Sequence, residues 1–402
     1  MTDHLTELRR QPGLREPTFP AAEYQSRIDA VRGAMAEQGL DIVLLSHLPS
    51  ICYLSGYQTP ATSDHNCLFM AQDGRTALQV IEHEIPNAVL TAFVEDVRGF
   101  SWYRPETIPA QATAIVRELA QGQRSPTIGI EKQRPALTLG LVESLVQAMP
   151  QARFVDASDV LNARRRIKST VEIAYLRESG RISVLGAEKA LDAVRPGCTD
   201  NDVAAAAYET MILAGSEYAS TQPFVATGPR SGMVHTTFKR RPILSGEAVF
   251  VETASSIQRY TAPVMRSAFV GAPPAIVQRL RDGVERTLTL LLENIAPRRS
   301  AHDVARAASP GFDAIRGEIY FQGAYGYHVG LSLPPAWWEG LTPYIAEGIE
   351  AELQPGMVFH LPIAARIPGV CGVALSETVL VTETGCEPLT APQRAFRDIP
   401  AW

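Results

Sequence analysis

Leu353-Gln-Pro-Gly-Met-Val-Phe359 and Ser376-Glu-Thr-Val-Leu-Val-Thr382 are the stretches from which the fold follows. Pro355-Gly356 punctuates the first, and the Met, Val, Phe and Leu that follow predict a strand over Met357–Ile363. The second is rich in Val and Thr and predicts a strand over Glu377–Thr382. Upstream, Glu247-Ala-Val-Phe-Val-Glu-Thr253 and the run from Val264 to Val270 have the same composition and are expected to be strands. Between these pairs, Ile276, Leu280, Val284, Leu288, Leu291 and Ile295 recur three to four residues apart, the spacing of one long amphipathic helix.

Working outward, Ile167-Lys-Ser-Thr-Val-Glu172 holds Ser169 with Glu172 three places on, a capping box that starts a helix running to about Val194. Thr199 with Asp202 gives a second start signal, and Gly215 closes that helix. Further back, Tyr24, Ile28, Val31 and Met35 keep helical spacing up to Gly39. Asp41-Ile-Val-Leu-Leu-Ser46 reads as a buried strand, and Leu68-Phe-Met, Asp73-Gly74 and Thr76–Ile81 read as a hairpin with a tight turn. The organisation expected is a loose polar arm over 1–18, a small α/β domain over 19–160 and a second domain over 161–402. Arg164-Arg-Arg-Ile-Lys168 reads as a solvated junction.

The 402 residues are 46% hydrophobic and 20% charged, with a net charge of −6, so a basic nucleic-acid-binding surface is not expected. Five scattered cysteines without a C-x-x-C spacing predict neither a disulfide framework nor a zinc knuckle. The start lacks an apolar signal core and no long apolar run follows, so a cytoplasmic protein without membrane contact is expected.

Gly228-Pro-Arg-Ser-Gly-Met-Val-His235, Gly326-Tyr-His328-Val-Gly330 and the two opening stretches, in this order, resemble the motifs of the creatinase and aminopeptidase P family, over roughly residues 19–393. The resemblance implies an α/β (α+β) architecture: a small N-terminal domain, a C-terminal "pita-bread" domain holding the active site, and a homodimer. Metallopeptidases of that family hold two divalent ions with two Asp, one His and two Glu. Those positions fall here on Glu252, Pro263, His328, Leu361 and Ser376. Leucine and proline side chains offer no donor, so neither a metal nor another cofactor is expected. Creatinase is the family's metal-free precedent, and His235 matches its catalytic histidine. However, the two creatinase glutamates meet Met265 and Leu375. A narrower resemblance is to ectoine hydrolases, carried also by Arg259-Tyr-Thr-Ala-Pro-Val-Met-Arg266, Leu333-Pro-Pro-Ala-Trp-Trp-Glu-Gly340 and Gly372-Val-Ala-Leu-Ser-Glu-Thr378. There the glutamate matching Glu252 is implicated as a covalent nucleophile.

Metal-free hydrolysis of an amidine needs a nucleophile or base, an acid for the leaving nitrogen, and donors for the developing charge. Glu252, on an apolar strand, is the candidate nucleophile or base; the alternative is an ion pair with an arginine such as Arg266. His235 and His328 are candidate proton carriers, the latter equally readable as a core histidine. Glu377 and Glu339 are candidate partners for a cationic substrate, Trp338 an aromatic wall, and Tyr260 and Arg266 partners for a substrate carboxylate or for Glu252. The function expected is hydrolysis of a small zwitterionic cyclic amidine, ectoine or a relative. The alternatives are a metal-dependent X-Pro aminopeptidase or dipeptidase, and a non-catalytic binding protein on the same scaffold.

Overall fold

The computed structural model describes residues 7–8, 10–11, 14–133, 136–391 and 394–402. Half of the arm expected over 1–18, namely residues 1–6, 9, 12 and 13, lies outside the described residues. Contacts divide the chain into Met1–Arg165 and Arg166–Trp402.

The first unit is a six-stranded sheet in the order β4-β3-β2-β1-β5-β6. Its strands are β1 (Ile42–Leu45), β2 (Cys67–Ala71), β3 (Thr76–Ile81), β4 (Val97–Phe100), β5 (Thr127–Ile130) and β6 (Arg153–Asp156). The anticipated hairpin pairs β2 with β3 in antiparallel register, Phe69 opposite Ala77. β1 pairs parallel with β5, which needs a crossover rather than a hairpin. Helix α1 (Ala21–Glu37) buries Tyr24, Ile28, Val31 and Met35, the stripe anticipated from their spacing, and Gly39 follows at φ 62.

Among the described residues, the second unit has two larger sheets and a two-stranded one. Its strands are β7 (Phe224–Thr227), β8 (Ala248–Thr253), a small pair β9 (Ser256–Ile257) and β10 (Tyr260–Thr261), β11 (Val264–Val270), β12 (Ala324–His328), β13 (Ile345–Ala346), β14 (Val358–Ile367), β15 (Cys371–Val381), β16 (Cys386–Pro388) and β17 (Arg397–Ile399). The orders are β17-β11-β8-β7 and β13-β12-β14-β15-β16. Both long strands extend beyond the expected spans, because Ala364-Ala-Arg-Ile-Pro-Gly369 and Cys371–Leu375 lack the β-rich composition that marks their neighbours.

Among the helices that cover these sheets are α2 (Thr170–Asp192), α3 (Asp200–Leu213) and α4 (Ala275–Asn294). The capping boxes at Ser169/Glu172 and Thr199/Asp202 are both formed. On α4, Leu280, Val284, Leu288 and Leu291 are all but fully buried against Phe359, Leu361, Ile363 and Ala365 of β14. Each such side chain contributes roughly 1.5–3 kcal/mol through burial. Because side chains alternate along a strand, His360, Pro362, Ala364 and Arg366 face the other way. There Ala364 and Ala374 meet Ala226, Phe250 and Met265 from the other sheet. The space between the sheets is thus lined by the alternate residues of β8, β11, β14 and β15. Among the described residues, no helix is long and apolar enough to cross a membrane.

The junction run departs from the sequence expectation. Arg165 is 1% exposed, and Lys168 is buried with its Nζ 2.6 Å from Glu339 Oε2.

Candidate active site

Glu252 lies at the end of the central strand β8, opposite Phe224 on β7 and Met265 on β11. A carboxylate flanked by those two side chains loses its water without gaining a donor. Burial pushes its pKa up to about 8, opposed by the positive charge of Arg366. Glu252 opens onto a cavity of about 620 Å³ walled by Phe224, Phe250, Tyr327, Trp337 and Trp338. His235 and Arg366 also line it.

His235 arrives there through a turn that only glycine permits. A Cβ on Gly232 would stand 2.3 Å from the Ile367 carbonyl oxygen, and one on Gly372 would stand 2.3 Å from that of Ser231. The two backbones therefore pack directly, and Gly372 N donates to Ser231 Oγ at 2.9 Å. This fastens the Gly228–Gly232 turn to the β14–β15 hairpin. Three residues later His235 adopts φ 57, a left-handed backbone that histidine adopts more readily than bulky residues. Its ring lies 5.9 Å from that of Phe224.

A buried hydrogen-bond chain supports the opposite wall. Met265 N donates to Ser376 Oγ at 2.6 Å. Ser376 Oγ is 2.7 Å from His360 Nε2, and His360 Nδ1 is 2.8 Å from Tyr327 Oη. Trp337 Nε1 donates to the same Tyr327 oxygen at 3.0 Å. Burial lowers the His360 pKa to about 3, so its ring is neutral. Ser376 already accepts from Met265, and the only acceptor described for its own hydrogen is His360 Nε2. Nδ1 then carries the imidazole hydrogen and donates to Tyr327. With two donors aimed at its oxygen, Tyr327 keeps its phenolic hydrogen for the cavity. Burial, and then the Glu252 charge, raise the Tyr327 pKa well above its usual value.

Of the residues named from sequence, Glu252, His235 and Trp338 come together on this cavity. The other five are not among its lining residues. Glu377 accepts from Thr390 Oγ1 at 2.5 Å and sits 3.5 Å from Arg266. Arg266 donates to the carbonyls of Met265, Ser376 and Thr390, which engages it away from any ligand. Glu339 pairs with Lys168, and Tyr260 donates to Glu172 at 2.7 Å. His328 is 1% exposed, with its ring 4.3 Å from that of Phe359. For Glu377, Arg266, Glu339 and Tyr260 the physical reason is shared: they are buried among protein partners that satisfy them; His328 is removed by burial against Phe359. The residues not anticipated are Tyr327, His360 and Arg366. For His360 and Arg366 a signal existed, namely polar residues at every second or later alternate place in an apolar strand.

The positions that the resemblance assigns to metal ligands do not fit a two-ion centre. Pro263 contributes only a carbonyl, which accepts from Thr378 Oγ1 at 2.8 Å. Leu361 points into the core beneath α4; its neighbour Pro362, opposite Ser376, faces the cavity instead, and it too lacks a donor. The Ser376 hydroxyl is taken up in the chain to His360. Among the described residues, no three His, Cys, Asp or Glu side chains gather as a metal site.

A pair of facing sheets with helices outside, and a cavity between the sheets, define a creatinase-like hydrolase fold. The chain belongs to Metallopeptidase family M24, which matches residues 174–383, and residues 27–167 match the Creatinase/Prolidase N-terminal domain. Among curated proteins it is 27% identical over 398 residues to the ectoine hydrolase of Halomonas elongata, covering 94% of this chain and 98% of that one. It is 23% identical to the Xaa-Pro dipeptidase of Pyrococcus horikoshii, covering 90% of this chain and 95% of the relative. Among solved structures, the X-Pro aminopeptidase of Thermotoga maritima superposes with a TM-score of 0.80 at 20% identity, over 92% of this chain and 99% of that one. That likeness is one of fold.

Proposed function

We propose that the protein hydrolyses a C–N bond of a small zwitterionic cyclic amidine, ectoine or a relative, without a metal ion. The observation that carries this reading is Glu252: a carboxylate buried among aromatic walls, with a pKa raised by burial to about 8 and, among the described residues, no companion ligands for an ion. A planar amidinium is the partner such a carboxylate lacks, since a buried charge is tolerated only when paired. The similarity to the Halomonas ectoine hydrolase supports the substrate class.

In this reading Glu252 either takes a proton from the water that attacks the amidinium carbon, or attacks that carbon itself to give an acyl-enzyme whose Glu252–acyl bond a water then hydrolyses. The carbon gains an oxygen, its π electrons move onto a ring nitrogen, and a proton from Tyr327 or His235 lets that nitrogen leave as an amine. The net reaction adds one water and breaks one ring C–N bond, giving an N-acetylated diaminobutyrate. A base with a pKa near the working pH is the efficient kind, and the hydrogen that Tyr327 directs into the cavity suits it as the acid. We include in the proposal the homodimer and the cytoplasmic location that the sequence led us to expect.

The test is incubation with ectoine, hydroxyectoine, creatine and an X-Pro dipeptide, with and without chelator, each followed by mass. Ring opening that persists in chelator supports the proposal. Chelator-sensitive cleavage of the dipeptide, with stoichiometric bound metal, would replace it by the peptidase reading. Binding without turnover would leave a ligand-binding scaffold.

A further inference from the structure

Arg366 closes the cavity-facing row of β14 and is 8% exposed. Other buried arginines of this unit are engaged: Arg266 by three carbonyls and Glu377, Arg259 by Glu217, Ser220 and the Tyr218 carbonyl, and Arg281 by Asp398. Among the described residues, the Arg366 guanidinium has no hydrogen bond and no ion pair. Its described companion is the ring of Phe250, 5.7 Å from the guanidinium carbon, a modest compensation for a desolvated cation. Glu252 lines the same cavity, and each charge shifts the other's titration. Yet no ion pair joins them.

A carboxyl group and a guanidinium thus line one small, largely aromatic cavity without pairing, each short of partners among the described residues. A ligand carrying both charges would fill the gap and complete both ends. We propose that Arg366 is the anion subsite of the pocket, binding the carboxylate of a zwitterionic substrate whose cationic end meets Glu252. The planar fork of a guanidinium matches a carboxylate in bidentate fashion. Arg266, the residue expected from sequence to do this, is unavailable. The inference rests on the amidine reading for the cationic end only; the anionic end is testable by itself.

The experiment uses three probes on the full-length wild type, R366Q and R366K, with binding read by calorimetry and by the fluorescence of Trp337 and Trp338. Ectoine carries both charges. 2-Methyl-1,4,5,6-tetrahydropyrimidine is the same ring without the carboxylate, and cyclohexanecarboxylate has the anion without the amidine. The wild type should prefer ectoine over the bare ring by about a hundredfold, the scale of a charge-assisted bidentate contact. R366Q should reduce that preference to within a few-fold and lose cyclohexanecarboxylate, while R366K keeps part of both. Should R366Q fail to fold, labelling of wild-type Arg366 by phenylglyoxal, blocked by cyclohexanecarboxylate and located by peptide mass, carries the same test. Equal carboxylate affinity in wild type and R366Q, unprotected labelling, or no carboxylate binding by the wild type overturns the subsite. Carboxylate bound through Arg366, with neither amidine bound or hydrolysed, upholds the subsite and removes the amidine reading instead.

Discussion

Tyr327 Oη lies 2.8 Å from His360 Nδ1, so a residue of the cavity wall is tied to a buried imidazole on the neighbouring strand. The tie fixes where the phenolic hydrogen points. Tyr327→Phe removes that hydrogen and little volume, so kcat for amidine hydrolysis should fall by about a hundredfold while KM changes little. Steady-state kinetics with a matched thermal melt checks this; a fall in affinity alone would count against Tyr327 as the acid.

Glu252 should govern the pH profile. Its ionised form is the reactive one, so kcat/KM should rise with pH and level off above about 8. Glu252→Gln should abolish turnover.

The same residue gives a stability signature of opposite sense. Its folded pKa is raised, so its contribution to stability is fully present below the unfolded value of about 4.3 and is lost as pH climbs through about 8. The melting temperature of the wild type should thus fall relative to Glu252→Gln between pH 5 and 9. Parallel curves would show that the carboxyl is not desolvated.

His360 supplies the acid limb. Its folded pKa is depressed to about 3, so the unfolded chain takes up its proton first, and stability declines as pH drops from about 6.5. His360→Gln should blunt that decline in urea-unfolding midpoints taken at pH 7 and pH 4.5.

Lys168 and Glu339 form a pair with both side chains 1% exposed. Glu339→Gln leaves the ammonium buried without its counter-charge and should cost about 3–5 kcal/mol of stability. KM should move less than twofold, because Glu339 is not among the cavity-lining residues. A large KM change with unaltered stability would return Glu339 to the substrate.

Motif order and periodicity carried the architecture in the sequence, because burial stripes such as Leu280–Leu291 and capping pairs such as Ser169/Glu172 are local signals. Glu252, His235 and Trp338 were legible for the same reason: each sits inside a short motif. What could not be read was which polar residues are already satisfied. Arg266 and Glu377 look as reactive in sequence as Arg366, and only the fold reveals that they engage each other and nearby carbonyls. The Tyr327–His360–Ser376 chain joins three strand positions whose adjacency depends on register, which no single segment records.

The alternation of β14 ties catalysis to folding. A slip of one residue against β15 would turn Phe359, Leu361 and Ile363 toward the cavity and send His360 and Arg366 into the oily layer under α4. The tight seam between Gly232 and Gly372 blocks such a slip at the hairpin end. A chain that has closed its core has therefore also built its pocket, and mutations that loosen the seam should yield unfolded protein rather than a folded, inactive one.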